Sequence, residues 1–150
     1  MEPKKQVSPQ KLFHILLAED NEINASVLQA RFTKSGEPHL MRIVNNGAAL
    51  FDHLRNDKEF WPDVIILDID MPQMTGIEAL KKLKADSATK PIPVLMFTAM
   101  HDEENIAKSR EAGAQGYVVK DISVVLDDIM NFAAVAKETP NMWVCLNAQD

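Results

Sequence analysis

The chain has 150 residues, of which 46% are hydrophobic and 25% are charged. This length and balance predict one globular domain with a core of its own. The formal net charge of −6 argues against nucleic acid as a partner, because a nucleic-acid-binding surface needs clustered basic residues.

Cysteine usage and hydropathy exclude several further classes of protein. Cys145 is the only cysteine, which rules out an internal disulfide and a cysteine-based zinc cluster. No apolar run approaches the roughly 20 residues that span a bilayer, and the first residues lack the apolar stretch of a signal peptide. We therefore expect a cytoplasmic protein that makes no membrane contact.

Apolar runs of strand length alternate with segments of helical periodicity along most of the chain. Residues 1–11 are polar, contain two prolines and are expected to form a disordered lead-in. The predicted elements then follow in the order strand 12–18, helix 23–35, strand 41–44, helix 47–56, strand 63–67, helix 76–86, strand 93–97, helix 102–112, strand 116–119 and helix 123–137. In the first helix, the three-to-four spacing predicts a buried face that contains Ile23, Val27, Leu28 and Phe32.

This alternation predicts an α/β fold with a parallel sheet and right-handed crossovers. Runs that are apolar without alternation suit strands covered by helices on both faces. Five β-α units are too few for a barrel, which typically needs about 250 residues. The sequence therefore predicts an open, doubly wound, five-stranded sheet.

Polar side chains collect where the predicted strands end. Glu19 and Asp20 follow the first strand, and Asp68, Thr98 and Lys120 follow the third, fourth and fifth. The carboxyl ends of parallel strands share one edge of the sheet, which is where doubly wound folds bind their ligands. The five side chains are therefore predicted to form one site.

The charges at this edge indicate a metal and a phosphoryl group. Two carboxylates 4 Å apart repel by about 4 kcal/mol at an effective dielectric constant near 20. A hard cation such as Mg²⁺ relieves this repulsion, and it commonly combines a few carboxylates with a phosphate oxygen. Asp68 is predicted to be the nucleophile that forms an acyl phosphate. Thr98 and Lys120 are predicted to hold its phosphoryl oxygens.

Four motifs stand at these strand ends: Glu-Asp-Asn at 19–21, LDIDMPQMTG at 67–76, Phe-Thr-Ala at 97–99 and Tyr-Val-Val-Lys at 117–120. Together they resemble the response-regulator receiver domain. Each motif alone is weak, but four in the right order are specific, and the resemblance covers about residues 12–137. It implies a flavodoxin-like (βα)5 fold with strand order 2-1-3-4-5.

The resemblance also implies a role for each residue of the site. Glu19, Asp20 and Asp68 would bind magnesium together with the backbone carbonyl of Asp70. Asp68 would accept phosphate from a phosphohistidine on a sensor histidine kinase or a histidine phosphotransfer protein. Thr98 and Tyr117 resemble the switch pair of the family, in which the hydroxyl moves toward the phosphate and the aromatic ring moves inward.

The sequence departs from the family pattern at two places. Asp121 follows Lys120 where the family usually has proline, often in a cis peptide bond, and this leaves the direction of Lys120 open. Asp70 and Met100 stand two residues beyond Asp68 and Thr98, where the family tunes the lifetime of the phosphate. This pair indicates an unusual lifetime.

Two other functions are compatible with parts of the pattern. An apolar strand that ends in Asp68-Ile69-Asp70 also resembles haloacid-dehalogenase-type phosphatases, with Asp70 as general acid. That family has the motif on its first strand, however, and its chemistry leaves Glu19 and Asp20 unexplained. The other alternative is an interaction module with the same fold that no longer takes phosphate.

The expected domain organisation is a receiver domain over 12–137 and a short tail over 138–150 without an output domain. Output would then pass through protein–protein contact or onward transfer of the phosphate. The tail contains an apolar patch over 142–146, for which packing onto the domain and docking to a partner are both open. The chain also loosely resembles the small regulators paired with bacterial phytochromes, which suggests a homodimer.

Overall fold

The computed structural model describes residues 12–99, 102–119 and 125–146. Strands and helices alternate throughout these ranges, as the sequence predicts. In chain order they are β1 (Phe13–Ala18), α1 (Glu22–Lys34), β2 (His39–Val44), α2 (Gly47–Asn56), β3 (Val64–Asp68), α3 (Gly76–Ala85), β4 (Val94–Thr98), α4 (Glu103–Glu111), β5 (Gly116–Val119), α5 (Leu126–Glu138) and β6 (Val144–Leu146).

All strands are parallel, and their order in the sheet is β2-β1-β3-β4-β5-β6. The flavodoxin-like fold and the order 2-1-3-4-5 are confirmed, but the prediction of five strands is wrong, because β6 adds to the edge of β5. Three residues are too short a run to be recognised as a strand. β6 forms because the side chains of Met142 and Val144 pack against one hydrophobic layer while Trp143 packs against the other.

Two hydrophobic layers enclose the sheet, because successive side chains of a strand point to opposite faces. In β1, Ile15 and Leu17 face the layer that α1 and α5 cover, whereas Leu16 and Ala18 face the layer that α2 and α3 cover. Every residue of β3 and β4 is buried, which explains why these strands are continuous apolar runs. Among the described residues, none of the helices has the length and hydrophobicity needed to cross a membrane.

The predicted buried face of α1 is wrong at two positions. Ile23 is 74% exposed and Val27 is 45% exposed. The side chains that α1 buries are Ala25, Leu28 and Phe32, which have the same three-to-four spacing. Ile23 and Val27 lie to one side of this stripe and face solvent.

Some element boundaries also differ from those predicted. β2 begins at His39, two residues before its predicted start, because its outer residues are only half-buried at the edge of the sheet. The last helix begins at Leu126 with Asp128 accepting a hydrogen bond from the Val125 N–H. Its predicted start, Ser123, lies outside the described residues.

Candidate functional site

Three carboxylates meet at the carboxyl edge of the sheet. Glu19 directly follows β1, and Asp68 is the last residue of β3. Because these strands are neighbours, with Ala18 aligned to Leu67, the two acids lie side by side. Carboxylate oxygens of Glu19, Asp20 and Asp68 all lie within 4.8 Å of one another. The predicted acidic cluster therefore exists, with Glu19 and Asp68 buried and Asp20 exposed.

The first acid is held in place by the start of α1. The Glu19 N–H donates to the carbonyl oxygen of Val44 at 2.9 Å, and the Asn24 side-chain amide donates to Glu19 Oε1 at 3.1 Å. Asn24 is in turn fixed because its backbone N–H donates to Oδ1 of Asn21, the helix N-cap, at 3.0 Å. Sequence reasoning missed Asn24, although a polar residue in the first turn of a helix beside an acid pair was a usable signal.

The loop after β3 supports the central carboxylate. The backbone N–H of Asp70 donates to Asp68 Oδ1 at 3.2 Å, and the N–H of Gly76 donates to the carbonyl oxygen of Ile69 at 2.9 Å. A Cβ atom at Gly76 would lie 2.2 Å from the backbone oxygen of Asp68. Only glycine allows α3 to begin this close to the strand end. This contact was also missed, because the motif contains Gly76 but its sequence does not show what the glycine touches.

Thr98 and Tyr117 meet beside the carboxylates. Thr98 ends β4, and the adjacent strand β5 carries Tyr117 opposite Met96. Both side chains are almost fully buried, at 2% and 1% exposure, and the Tyr117 hydroxyl is hydrogen-bonded to the Thr98 side chain. Burial raises the pKa of the Tyr117 hydroxyl above its ordinary value of 10.0, while the Thr98 hydrogen bond partly opposes this shift. The tyrosine ring is therefore in an inward position, directed to the site.

Three residues singled out from the sequence lie outside the described residues: Met100, Lys120 and Asp121. Asp70 is described, and its side chain is exposed on the surface next to the cluster. The structure thus brings together Glu19, Asp20 and Asp68 with the Thr98–Tyr117 pair at one edge of the sheet.

The donor set fits a hard divalent cation. Carboxylate oxygens are the ligands that Mg²⁺ and Mn²⁺ prefer, and three of them converge here, two on buried side chains. Two carboxylates 4 Å apart repel each other by about 4 kcal/mol at an effective dielectric constant of 20. A bound cation would relieve this repulsion. The residues present therefore fit a metal of this class.

Comparison with known proteins identifies similar chains. The protein is 34% identical over 125 residues to the response regulator PleD of Caulobacter vibrioides, an alignment that covers 83% of this chain and 26% of PleD. The chain thus spans about a quarter of the length of that relative. Among solved structures it resembles the Mn²⁺-bound response regulator Rcp1, with 28% identity, a TM-score of 0.66, and coverage of 91% and 99% of the two chains.

A second solved structure is the phosphorylated cyanobacterial phytochrome response regulator RcpA. It is 27% identical with a TM-score of 0.68, and the match covers 89% of this chain and 94% of RcpA. The family model of the response regulator receiver domain matches residues 15–131, which include every described residue of the site. The chain belongs to the response regulator receiver domain family of two-component signalling.

Proposed function

We propose that Asp68 is the phosphoacceptor of this receiver and that its donor is a phosphohistidine on a sensor histidine kinase or a phosphotransfer protein. A carboxylate oxygen of Asp68 forms a bond to phosphorus as the N–P bond of the donor breaks, and the electron pair of that bond stays on the nitrogen. The imidazole leaves as a neutral ring because its other ring nitrogen carries a proton taken from solvent. The observation that carries this proposal is the burial of the Asp68 carboxylate against Glu19 and Asp20 at the ligand-binding edge of the sheet.

The remaining groups of the site would position and neutralise the phosphoryl group. Mg²⁺ would be held by the side chains of Glu19, Asp20 and Asp68 and by the backbone carbonyl of Asp70. When bound, it would neutralise charge on the carboxylates and on the phosphoryl oxygens. The Mn²⁺-bound form of the similar protein Rcp1 supports a divalent cation. The Thr98 hydroxyl would donate to one phosphoryl oxygen, and the Lys120 ammonium would pair with another.

The Thr98–Tyr117 contact is the proposed switch. Once the Thr98 hydroxyl donates a hydrogen bond to a phosphoryl oxygen, that bond holds the hydroxyl close to Asp68. The inward ring of Tyr117, which is hydrogen-bonded to Thr98, would be favoured over an outward ring. A local electrostatic change at Asp68 would thereby select between two positions of one side chain. The output partner would read that difference, and a homodimer stays a prediction of the sequence.

Membership of a signalling family speaks against the phosphatase alternative. Asp68 ends the third strand along the chain, and the acids that follow β1 have a role in the receiver site. The phosphate-independent interaction module stays an alternative that the labelling experiment decides.

The first prediction concerns the phosphoacceptor itself. Acetyl phosphate with Mg²⁺ should add one phosphoryl group to the protein, and Asp68→Asn should abolish the addition because an amide is not a nucleophile toward phosphorus. Intact mass spectrometry measures the gain, and omission of Mg²⁺ should suppress it. Asp52→Asn, which changes an exposed acid of α2, is the matched control and should label like the wild type. An unlabelled wild type that also binds no beryllofluoride would favour the interaction module.

The donor protein is expected to dock on the start of α1. Ile23 and Val27 are exposed apolar side chains on the helix whose N-cap immediately follows Asp20. Asp20 is the exposed acid of the cluster and directly precedes this N-cap, so a phosphohistidine that approaches Asp68 from the Asp20 side passes the start of α1. Neighbouring exposed apolar residues often belong to a protein contact, and we expect Ile23 and Val27 to form part of the docking surface.

Ile23→Ser should therefore slow phosphotransfer from a phosphohistidine protein by about tenfold, the effect of losing one apolar anchor of a contact. Labelling by acetyl phosphate should be unchanged, because this donor is too small to need the surface. Val135→Ser is the matched control. Val135 is 53% exposed on α5. It lies far from the site, because the neighbouring Lys137 pairs with Asp63, which precedes β3 at the opposite edge of the sheet. Equal slowing in both variants would contradict docking on α1.

A further inference from the structure

Strand β6 covers the edge of β5, the strand that carries Tyr117. β6 pairs in parallel with β5, so that Gly116, Tyr117 and Val118 face Val144, Cys145 and Leu146. The Val144 N–H donates to the carbonyl oxygen of Gln115 at 2.9 Å. The strand that carries the tyrosine is therefore an interior strand.

Trp143, the residue before β6, packs over the tyrosine. The two ring centroids are 6.3 Å apart with a 50° angle between the rings, within the range of favourable aromatic pairs. On the α4 side, the guanidinium of Arg110 lies 6.0 Å from the centre of the indole ring, a cation–π distance. Ile106 and Ala107 line the same groove. Trp143 is thus held between α4 and the ring of Tyr117.

This packing leaves the tyrosine little freedom to leave the core. Tyr117 is 1% exposed and belongs to the hydrophobic layer against which Trp143 packs. An outward ring would need the space on the α4 side that the indole occupies. Outward movement of Tyr117 on this side would therefore require the C-terminal segment to undock.

We propose that Trp143 and β6 form an intramolecular latch that holds Tyr117 inward beside Thr98, and that latch docking and phosphorylation of Asp68 favour each other. The inference rests on the proposed function, because it needs Thr98 to couple the phosphoryl group to the tyrosine. It assigns the C-terminal segment a regulatory role. In the unphosphorylated protein the latch opens more often, and in the phosphorylated protein it stays closed.

Linkage makes the proposal quantitative. If the latch raises the affinity of the site for a phosphoryl mimic by some factor, the mimic must stabilise the docked latch by the same factor. Couplings of this kind are commonly about 5-fold to 150-fold. The affinity for the mimic and the docking of the latch can both be measured in the full chain. Its aromatic fluorescence is simple to assign, because the protein has one tyrosine and only two tryptophans.

The experiment uses beryllofluoride with Mg²⁺ as the phosphoryl mimic. In a Trp61→Phe background, which removes a tryptophan that is 42% exposed and distant from the site, the emission of Trp143 should shift to shorter wavelength on addition of the mimic. Hydrogen exchange of the β6 amides should slow by about 5-fold or more. Trp143→Ala should weaken binding of the mimic by the same factor, and Trp143→Phe, which keeps an aromatic ring, should restore most of it.

The outcomes separate the latch from the proposed function. If the wild type binds beryllofluoride but β6 exchange is unchanged and Trp143→Ala binds equally well, the latch is overturned and the phosphoacceptor proposal stands. If the wild type neither binds the mimic nor labels with acetyl phosphate, both proposals are overturned. Hydrogen exchange of the wild-type protein, with and without beryllofluoride, tests the latch even if Trp143→Ala does not fold.

Discussion

Gly76→Ala should lower the free energy of unfolding by about 3 kcal/mol and slow labelling of Asp68. The added Cβ would lie 2.2 Å from the backbone oxygen of Asp68 and 2.9 Å from its carbonyl carbon. Both contacts are to backbone, so the strand end or the start of α3 must move. Overpacking of this kind typically costs about 1–3 kcal/mol and occasionally more. The expected cost lies at the upper end because no flexible side chain can absorb the clash.

Gly47→Ala is a closely matched control for this prediction. Gly47 opens α2 as Gly76 opens α3, and in both helices the N-cap side chain accepts from the backbone three residues on. The three atoms nearest the new Cβ would all belong to the side chain of Met74, with its sulfur 2.6 Å away and its Cβ 2.9 Å away. The sulfur can rotate away, the Cβ contact needs a small shift of the loop that carries Met74, and alanine is about 1 kcal/mol better than glycine in a helix. We therefore expect Gly47→Ala to lie within about 1 kcal/mol of the wild type.

Urea denaturation at 25 °C without divalent cations measures both costs, and acetyl phosphate labelling at a temperature where both variants are folded measures the effect on the site. A large loss of stability for Gly76→Ala with normal labelling would mean that the strand end recovers its geometry. Equal costs for the two glycine variants would contradict the backbone clash.

The fold could be predicted largely because its central strands leave no ambiguity. β3 and β4 are buried along their whole length, so they are uninterrupted apolar runs with a polar residue at the end. The same feature places Asp68 and Thr98 at the site. The carboxylate cluster follows from the parallel direction of β1 and β3, which puts their carboxyl ends at one edge.

The errors arise where tertiary contacts decide between local alternatives. In α1, Leu28 and Phe32 have apolar neighbours at helical spacing on either side, and the sequence does not show that Ala25 rather than Val27 completes the buried stripe. The exposed residues have a function in our proposal, since Ile23 and Val27 lie on the helix that begins two residues after Asp20. β6 is too short to have a periodicity, and it exists only because β5 offers an edge.

The inward position of Tyr117 is a further property that no local pattern contains. The motif around the tyrosine allows either orientation of the ring. The orientation depends on Thr98 in the neighbouring strand and on Trp143, which belongs to a segment that comes after α5. The sequence left open whether the apolar residues of that segment pack onto the domain or dock to a partner. The structure shows that Met142, Trp143 and Val144 pack on the domain.

Removal of one charge from the acidic cluster should have opposite effects on stability with and without magnesium. In EDTA, Asp20→Asn should raise the free energy of unfolding, because it relieves repulsion with Glu19 and Asp68 inside a cluster 4.8 Å across. The exposure of Asp20 allows solvent to screen its charge, so we expect a gain of about 1 kcal/mol rather than the about 4 kcal/mol of a pair at 4 Å.

With magnesium the order of the two proteins should reverse. A ligand at 100 times its dissociation constant stabilises the folded state by about 2.7 kcal/mol. If the lost carboxylate weakens magnesium binding tenfold, the same concentration stabilises Asp20→Asn by only about 1.4 kcal/mol. The wild type then gains about 1.3 kcal/mol more from magnesium than the variant does, which exceeds the variant's advantage of about 1 kcal/mol in EDTA, so the wild type becomes the more stable protein by about 0.3 kcal/mol. Urea denaturation in EDTA and across a magnesium titration measures both limits without any dependence on phosphorylation.

Asp127→Asn separates this specific effect from a general change in net charge. Asp127 is an exposed acid in the first turn of α5, so its replacement removes the same charge near the start of a helix, as Asp20→Asn does just before the N-cap of α1. This variant should lose a few tenths of a kcal/mol in EDTA, because acids favour helix N-termini, and it should keep the full magnesium response. If magnesium stabilises all three proteins equally, the cation binds elsewhere and the cluster of Glu19, Asp20 and Asp68 is not its site. If magnesium stabilises none of them, the repulsion must be relieved by other means, and the proposed part of the metal in phosphotransfer fails with it.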